Sequence, residues 1–211
     1  MTNDARRFSP STARNRDVIR DAFLAHMPDK GRALEVAAGS GEHGVHIGAA
    51  LPDLKWWTGD PDQSVHGSIA AWIAHEGLTN VMGPHEIDVT SDDWGLDTFA
   101  PIDALIAINM VHISPIEATR GLLAGAARYL SPEGRVFLYG PYRRNGHHTA
   151  PSNASFDEDL KRRNPLWGIR DLEHEIAPLC ADFGLTIMEI ITMPANNFSI
   201  ILGHQRQSLE K

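Results

Sequence analysis

Short apolar runs alternate with amphipathic stretches along most of this chain. "RALEVAA" is a compact apolar run leading into a glycine, the pattern of a buried strand, and "GEHGVHIGAALP" behind it reads as a helix stopped by Pro52. "LKWWTGD" is a second strand. In "PDQSVHGSIAAWIAHEGLTN" the apolar positions Val65, Ile69, Trp72 and Ile73 recur at the helical period, and the helix stops near Gly77. "VMGPHEIDV" reads as a third strand, interrupted by Gly83 and Pro84. "IDALIAIN" is the fourth, almost continuously apolar, as in a sheet covered on both faces. "SPIEATRGLLAGAARYL" then predicts a helix with Ser114 as N-cap and Pro115 at its first position. A turn at "SPEG" leads to a fifth strand in "RVFLYGP". Residues 142–167 are polar and irregular, with a short helix expected at "SFDEDLKRR". "IRDLEHEIAPLCADFG" reads as a helix interrupted near Pro178. "LTIMEIITM" and "FSIILGH", joined by "PANN", suit an antiparallel hairpin.

This order predicts an α/β fold: a Rossmann-like, doubly wound, mostly parallel seven-stranded sheet with an antiparallel C-terminal hairpin strand. The reading takes residues 1–211 as one domain, with 1–30 as an N-terminal lid or helix and 142–167 as a cover on the substrate side. Right-handed crossovers bring the carboxyl ends of parallel strands to one edge, where ligands bind. Glu35 to Gly41, Asp60, Asp88, Asn109 to His112 and Tyr139 to Tyr142 all follow predicted strands and should converge there.

Charge and composition narrow the partners. The chain of 211 residues is 42% apolar and 22% charged, with a formal net charge of -8. That sign does not attract a phosphate backbone without a basic patch. Arg143 with Arg144, and Lys161 with Arg162 and Arg163, are short clusters that read as solvated faces, so no nucleic-acid partner is expected. The single cysteine, Cys180, excludes an internal disulfide and reads as core filler. No signal-peptide pattern or run of membrane-spanning length is present, so a cytoplasmic protein without a membrane partner is expected. Eleven histidines invite a metal reading. His43 and His46 lie three apart and His147 adjoins His148, but neither pair belongs to a metal-ligand motif, and no metal is expected.

The most informative stretch is "LEVAAGSGEHG", where Gly39, Gly41 and Gly44 follow an apolar run that holds an acid near its end. A strand-to-helix turn that lets a ligand lie against the backbone cannot carry bulky side chains. Both a nicotinamide dinucleotide and S-adenosylmethionine fit such a turn. Glu35 is awkward beside a pyrophosphate and useful beside a cationic sulfonium. Asp60 can accept both ribose hydroxyls of either cofactor. Asp88, expected at the end of the third strand, offers an acceptor to an adenine amino group.

The pattern resembles class I S-adenosylmethionine-dependent methyltransferases. Their acid-x-Gly-x-Gly-x-Gly turn is matched by Glu35-Val-Ala37-Ala-Gly39-Ser-Gly41, with Ala37 in place of the first glycine. Asp60 matches the ribose acid, Asp88 the adenine-side acid, and "LSPEGRVFLYG" is similar to the family's turn before its fifth strand. "RNRDVI", "NMVHISP", "SNASFDEDL", "NPLWGIRD" and "MPANNFSIILG" resemble a narrower, uncharacterised methyltransferase-like group long filed as a domain of unknown function. The resemblance covers roughly residues 14 to 204. It implies S-adenosylmethionine as cofactor and S-adenosylhomocysteine as product. It also places Asn109 and Met110 between methyl donor and acceptor.

Methyl transfer is an in-line displacement that needs alignment and dryness. His112 is the candidate general base and Tyr142 the phenol pointing into the cleft, with Tyr139 either lining the pocket or lying in the core. Trp167 covers the acceptor or packs under the irregular segment. Arg14 and Asn15, expected just before the first helix, belong to a lid in which the guanidinium takes a carboxylate. The substrate expected is a small molecule, with a hydroxyl as the favoured acceptor. A nicotinamide-dependent oxidoreductase, and a cofactor binder without turnover, remain the alternatives.

Overall fold

The computed structural model describes residues 4–205; residues 1–3 and 206–211 of the expected domain lie outside the described residues. Helix α1 (Pro10–His26) is capped by Ser9, whose hydroxyl accepts from the Thr12 N–H, with Pro10 in its first turn. Strand β1 (Gly31–Val36), helix α2 (Glu42–Gly48), strand β2 (Leu54–Gly59), helix α3 (Gln63–Glu76) and strand β3 (Val81–His85) complete the first half. Strand β4 (Ile102–Ile108), a 3-10 turn at Met110–His112, helix α4 (Ile116–Tyr129) and strand β5 (Leu130–Gly140) follow. Helix α5 (Pro151–Arg163), a π-turn (Leu172–Ile176) running into helix α6 (Ala177–Asp182), and strands β6 (Leu185–Met193) and β7 (Asn197–His204) close the fold.

The seven strands form one sheet in the order β3-β2-β1-β4-β5-β7-β6. β1 to β5 pair in parallel, and β7 runs antiparallel to both β5 and β6. Strand alternation divides the core in two. Leu34, Val36, Leu105, Ala107, Val136 and Leu138 face the side covered by α4 and α6. Ala33, Ala104, Ile106, Phe137 and Tyr139 face the side covered by α1 and α2, where Phe23 packs against Trp56 and Phe137. No helix among the described residues is long and apolar enough to cross a membrane.

Several boundaries differ from the sequence reading, each for a local reason. Arg14 and Asn15 lie inside α1, because Ser9 and Pro10 start that helix earlier. β3 ends at His85, so Asp88 stands in the following loop. Pro115, not Ser114, occupies the cap of α4, and the Ser114 hydroxyl donates to the Met110 carbonyl at 2.7 Å. The cover is less irregular than its polarity implied: α5 extends over thirteen residues, with Pro151 opening its first turn.

Candidate active site

The site begins where β1 gives way to its turn. Ala37, Gly39 and Gly41 all take positive φ, at 51°, 56° and 84°. A Cβ on Gly41 would stand 2.8 Å from the Ile69 Cα, so the packing of α3 on the turn requires glycine. A Cβ on Gly39 would meet nothing within 4 Å, so that side of the turn is open. Asp60, just past β2, braces this geometry. Its Oδ2 accepts from the Gly39 N–H at 2.9 Å, and its Oδ1 accepts from the Asp62 N–H at 2.9 Å. Each carboxylate oxygen retains acceptor capacity for a ligand hydroxyl.

Glu35 does not reach the open side of the turn. It shares the face of Ala33 toward α2, where its Oε2 accepts from the Thr58 hydroxyl at 3.0 Å and the Trp56 indole at 3.3 Å. Burial raises its pKa to about 7. The expected contact with a sulfonium is therefore corrected: Glu35 supports the turn from inside. Asp88 is exposed, and its Oδ1 accepts from the Thr90 N–H and hydroxyl at 2.8 and 2.7 Å. Met110 is buried in the core on the α4 side, so its side chain is not a surface over the turn.

Beyond the end of β4 lies a cleft of about 640 Å³, a volume suited to a small molecule. Two helix faces form its walls. From α1 come Ser11, Arg14, Asn15 and Val18, at the i, i+3, i+4, i+7 spacing of one stripe; from α5 come Ser152, Asn153, Phe156 and Arg163. Asn109, Tyr139 and Pro141 supply the floor, and Pro194, Ala195 and Asn197, where the hairpin turns, supply the rim. Asn109 takes φ 61°, and its backbone N–H donates to the Tyr139 carbonyl at 2.7 Å, tying the two floor residues together. Asn15 Oδ1 meets His43 Nε2 at 3.0 Å. Burial lowers the His43 pKa to about 4, so the imidazole is neutral and donates from Nε2.

Of the two tyrosines, Tyr139 and not Tyr142 lies at the cleft. Tyr139 shares the parity of Phe137 and faces α1, which puts it at the cleft; Tyr142 is fully buried on the opposite side of the sheet. The Tyr142 phenol has no partner among the described residues, and burial pushes its pKa far above the ordinary value. His112 is likewise fully buried, edge-on to Tyr142 at 4.6 Å between ring centroids. Its Nδ1 accepts from the Arg170 N–H at 3.3 Å, and burial drives its pKa down to about 3. It lies beneath the floor and cannot take a proton from a molecule in the cleft. Trp167 does not line the cleft either; its ring carries the Arg163 guanidinium, whose central carbon stands 5.1 Å from the ring centroid.

The sequence reading expected a cover at 142–167 but named none of the α5 residues that line the cleft, and it did not bring the hairpin turn to the site. The turn was inferable: a last strand antiparallel to its neighbours must begin at the edge where the parallel strands end. The histidine pairs serve other roles. His46 Nε2 meets Asp17 at 2.8 Å, and His148 stands 3.4 Å from Asp157. Among the described residues no three His, Cys, Asp or Glu side chains gather in a metal-holding group.

The fold is shared with solved methyltransferases. The S-adenosylmethionine-dependent methyltransferase SibL, in its apo form, superposes with a TM-score of 0.74 at 19% identity over 93% of this chain and 56% of that one. An O-methyltransferase family protein from Burkholderia thailandensis gives 0.76 at 14% identity over 94% and 57%. CalO1, a methyltransferase in calicheamicin biosynthesis solved in its SAH-bound form, gives 0.75 at 16% identity over 92% and 54%. This chain thus spans little more than half the length of each of these proteins, and at such identities the likeness establishes the fold. A family model described as "Protein of unknown function (DUF938)" matches residues 6–204, and the chain belongs to that family.

Proposed function

We propose that this protein transfers a methyl group from S-adenosylmethionine to a small molecule held in the α1–α5 cleft. The observation that carries the reading is adjacency along one sheet edge: Asn109, just past β4, and Tyr139, at the end of β5, line the cleft, and β4 pairs with β1, whose end carries the glycine turn. The residues fit the cofactor. The open side of Gly39 leaves room for an adenosine against the backbone, and Asp60 has acceptor capacity for its ribose. Arg14 would pair with the methionine carboxylate, and Asn15 and Asn109 would orient that end of the molecule. S-adenosylmethionine supplies an electrophilic methyl carbon on a sulfonium. The chain's own task is then alignment and exclusion of water.

None of the cleft-lining residues is Asp, Glu, His, Lys or Cys. Tyr139 has its pKa raised by burial and stays protonated, so it donates a hydrogen bond rather than taking a proton. An acceptor proton therefore leaves to water, or the acceptor arrives already ionised. The O-methyltransferase name borne by the relative from Burkholderia thailandensis supports oxygen as the acceptor atom.

Thermal unfolding with S-adenosylmethionine, S-adenosylhomocysteine, NAD and NADP tests the reading. A ligand at a hundred times its Kd stabilises the native state by about 2.7 kcal/mol. Only the two adenosyl sulfur compounds should raise Tm. Asp60→Ala should weaken S-adenosylhomocysteine binding in calorimetry by about tenfold, roughly 1.4 kcal/mol, through loss of a charged acceptor. A shift with a dinucleotide alone would move the protein to redox chemistry. Cofactor binding without methylated product across a broad acceptor panel would make it a binder without turnover.

A further inference from the structure

We infer that the molecule held in the cleft is a small organic oxyanion, anchored by Arg163. This rests on the methyltransferase reading for its context but on separate observations for its content. The chain carries a net charge of -8, yet the cleft is lined by two arginines and no acid. Bases beside them on the same two helices are paired with acids. Arg16 pairs with Glu42 at 2.8 Å, Lys161 with Asp157 at 2.6 Å, and Arg162 with Asp159. Among the described residues, Arg14 and Arg163 have no carboxylate partner. The acids on the same helices turn elsewhere: Asp17 toward Arg20 and His46, Asp157 toward Lys161.

The arginines have different surroundings. Arg14 stands one residue from Asn15, beside the end of the cleft where the cofactor is proposed. Arg163 projects from the far end of α5, its guanidinium lying over Trp167. That cation–π contact holds the guanidinium beside the ring, and without a carboxylate partner its N–H fork is free for a carboxylate or phosphate. Val18, Ile113 and Phe156 add apolar surface to the same cleft. A charged fork beside apolar walls selects a molecule with an apolar body and an anionic head. A cationic cleft in an acidic molecule also concentrates anions locally.

The test uses benzoate, phenyl phosphate and neutral benzyl alcohol as probes, titrated by NMR into the intact protein with and without saturating S-adenosylhomocysteine. At least one anion should bind about tenfold more tightly than benzyl alcohol, as expected for a charge-assisted fork. Which anion leads tells whether the natural head is carboxylate or phosphate. Arg163→Gln should abolish that preference while leaving Tm and S-adenosylhomocysteine affinity unchanged. Arg162→Gln, which removes the same charge from a paired neighbour, should keep it. Equal binding of all three probes, no binding of either anion, or a preference that survives Arg163→Gln would overturn the proposal. Failure of S-adenosylhomocysteine to bind would instead overturn the methyltransferase reading, and the cofactor-free titration would still decide the anion question.

Discussion

The glycine turn and the α1–α5 cleft lie at the ends of neighbouring strands yet are built on opposite plans. At the turn the ligand-facing groups are largely backbone, and the side chains that matter hold that backbone in place. Gly41 makes room for Ile69, Asp60 secures the Gly39 N–H, and Glu35 bonds Thr58 and Trp56 below. At the cleft the ligand-facing groups are side chains on helix faces drawn from opposite ends of the chain, on a floor set by Asn109 and Tyr139. A backbone cradle is rigid and serves one cofactor. A wall of side chains can be exchanged without disturbing the sheet. The division is the one that the proposed reaction, with a fixed donor and a variable acceptor, would call for.

The two glycines of the turn give the sharpest way to break this comparison. Gly41→Ala forces a Cβ to within 2.8 Å of the Ile69 backbone at a φ of 84°. Overpacking and left-handed strain together should cost about 3 kcal/mol of stability, read by urea unfolding. Gly39→Ala meets open space at φ 56°, so only the backbone term of about 1 kcal/mol should appear. Its methyl would project into the cofactor's space, so S-adenosylhomocysteine affinity should fall far more than stability does. Equal stability losses at the two positions would mean that the turn is not open on the Gly39 side.

The same contrast explains what the sequence made legible. The apolar runs, the glycine spacing and Asp60 are local signals: the runs form the strands, and the glycine turn and Asp60 meet at one edge of the sheet. The cleft depends on which way side chains turn after a strand ends. One register step separates the α1 side from the α4 side: Tyr139 follows Phe137 toward α1, whereas Tyr142, beyond the strand, folds back among Leu172, Ile176 and Cys180. His112 shares that fate because the 3-10 turn directs it beneath Gly140, whose missing Cβ leaves 2.6 Å to the ring. Arg163 looked like one of three solvated bases, and only the α5 face and Trp167 distinguish it.

Buried titrating groups on both sides of the sheet give a pH signature. Burial raises Glu35 to about 7 and lowers His43 to about 4 and His112 to about 3. Between pH 4.5 and 6.5 the unfolded chain charges both histidines while the folded chain keeps them neutral. Over the same range the folded chain keeps the Glu35 proton that the unfolded chain loses. The unfolded state thus binds about one proton more, and stability should fall by about 1.4 kcal/mol per unit as pH drops through this window. Glu35→Gln removes the opposing group and should roughly double that slope. A flat profile in chemical denaturation across the window would show that the two histidines are not held neutral.

The smallest expected effect addresses the one place where the turn departs from a glycine-only plan. Ala37 holds φ 51°, a left-handed conformation that its Cβ disfavours. Ala37→Gly should relieve that strain, offset in part by the greater freedom of glycine in the unfolded chain, for a net gain of about 0.5 kcal/mol. The gain should appear as a small rise in the urea midpoint with an unchanged m-value. Because Ala37 adjoins the cradle but is not the open residue, S-adenosylhomocysteine affinity should hold. A stabilised variant that binds the cofactor less well would show that the Ala37 methyl is itself part of the cofactor wall, and would extend the side-chain plan of the cleft into the turn.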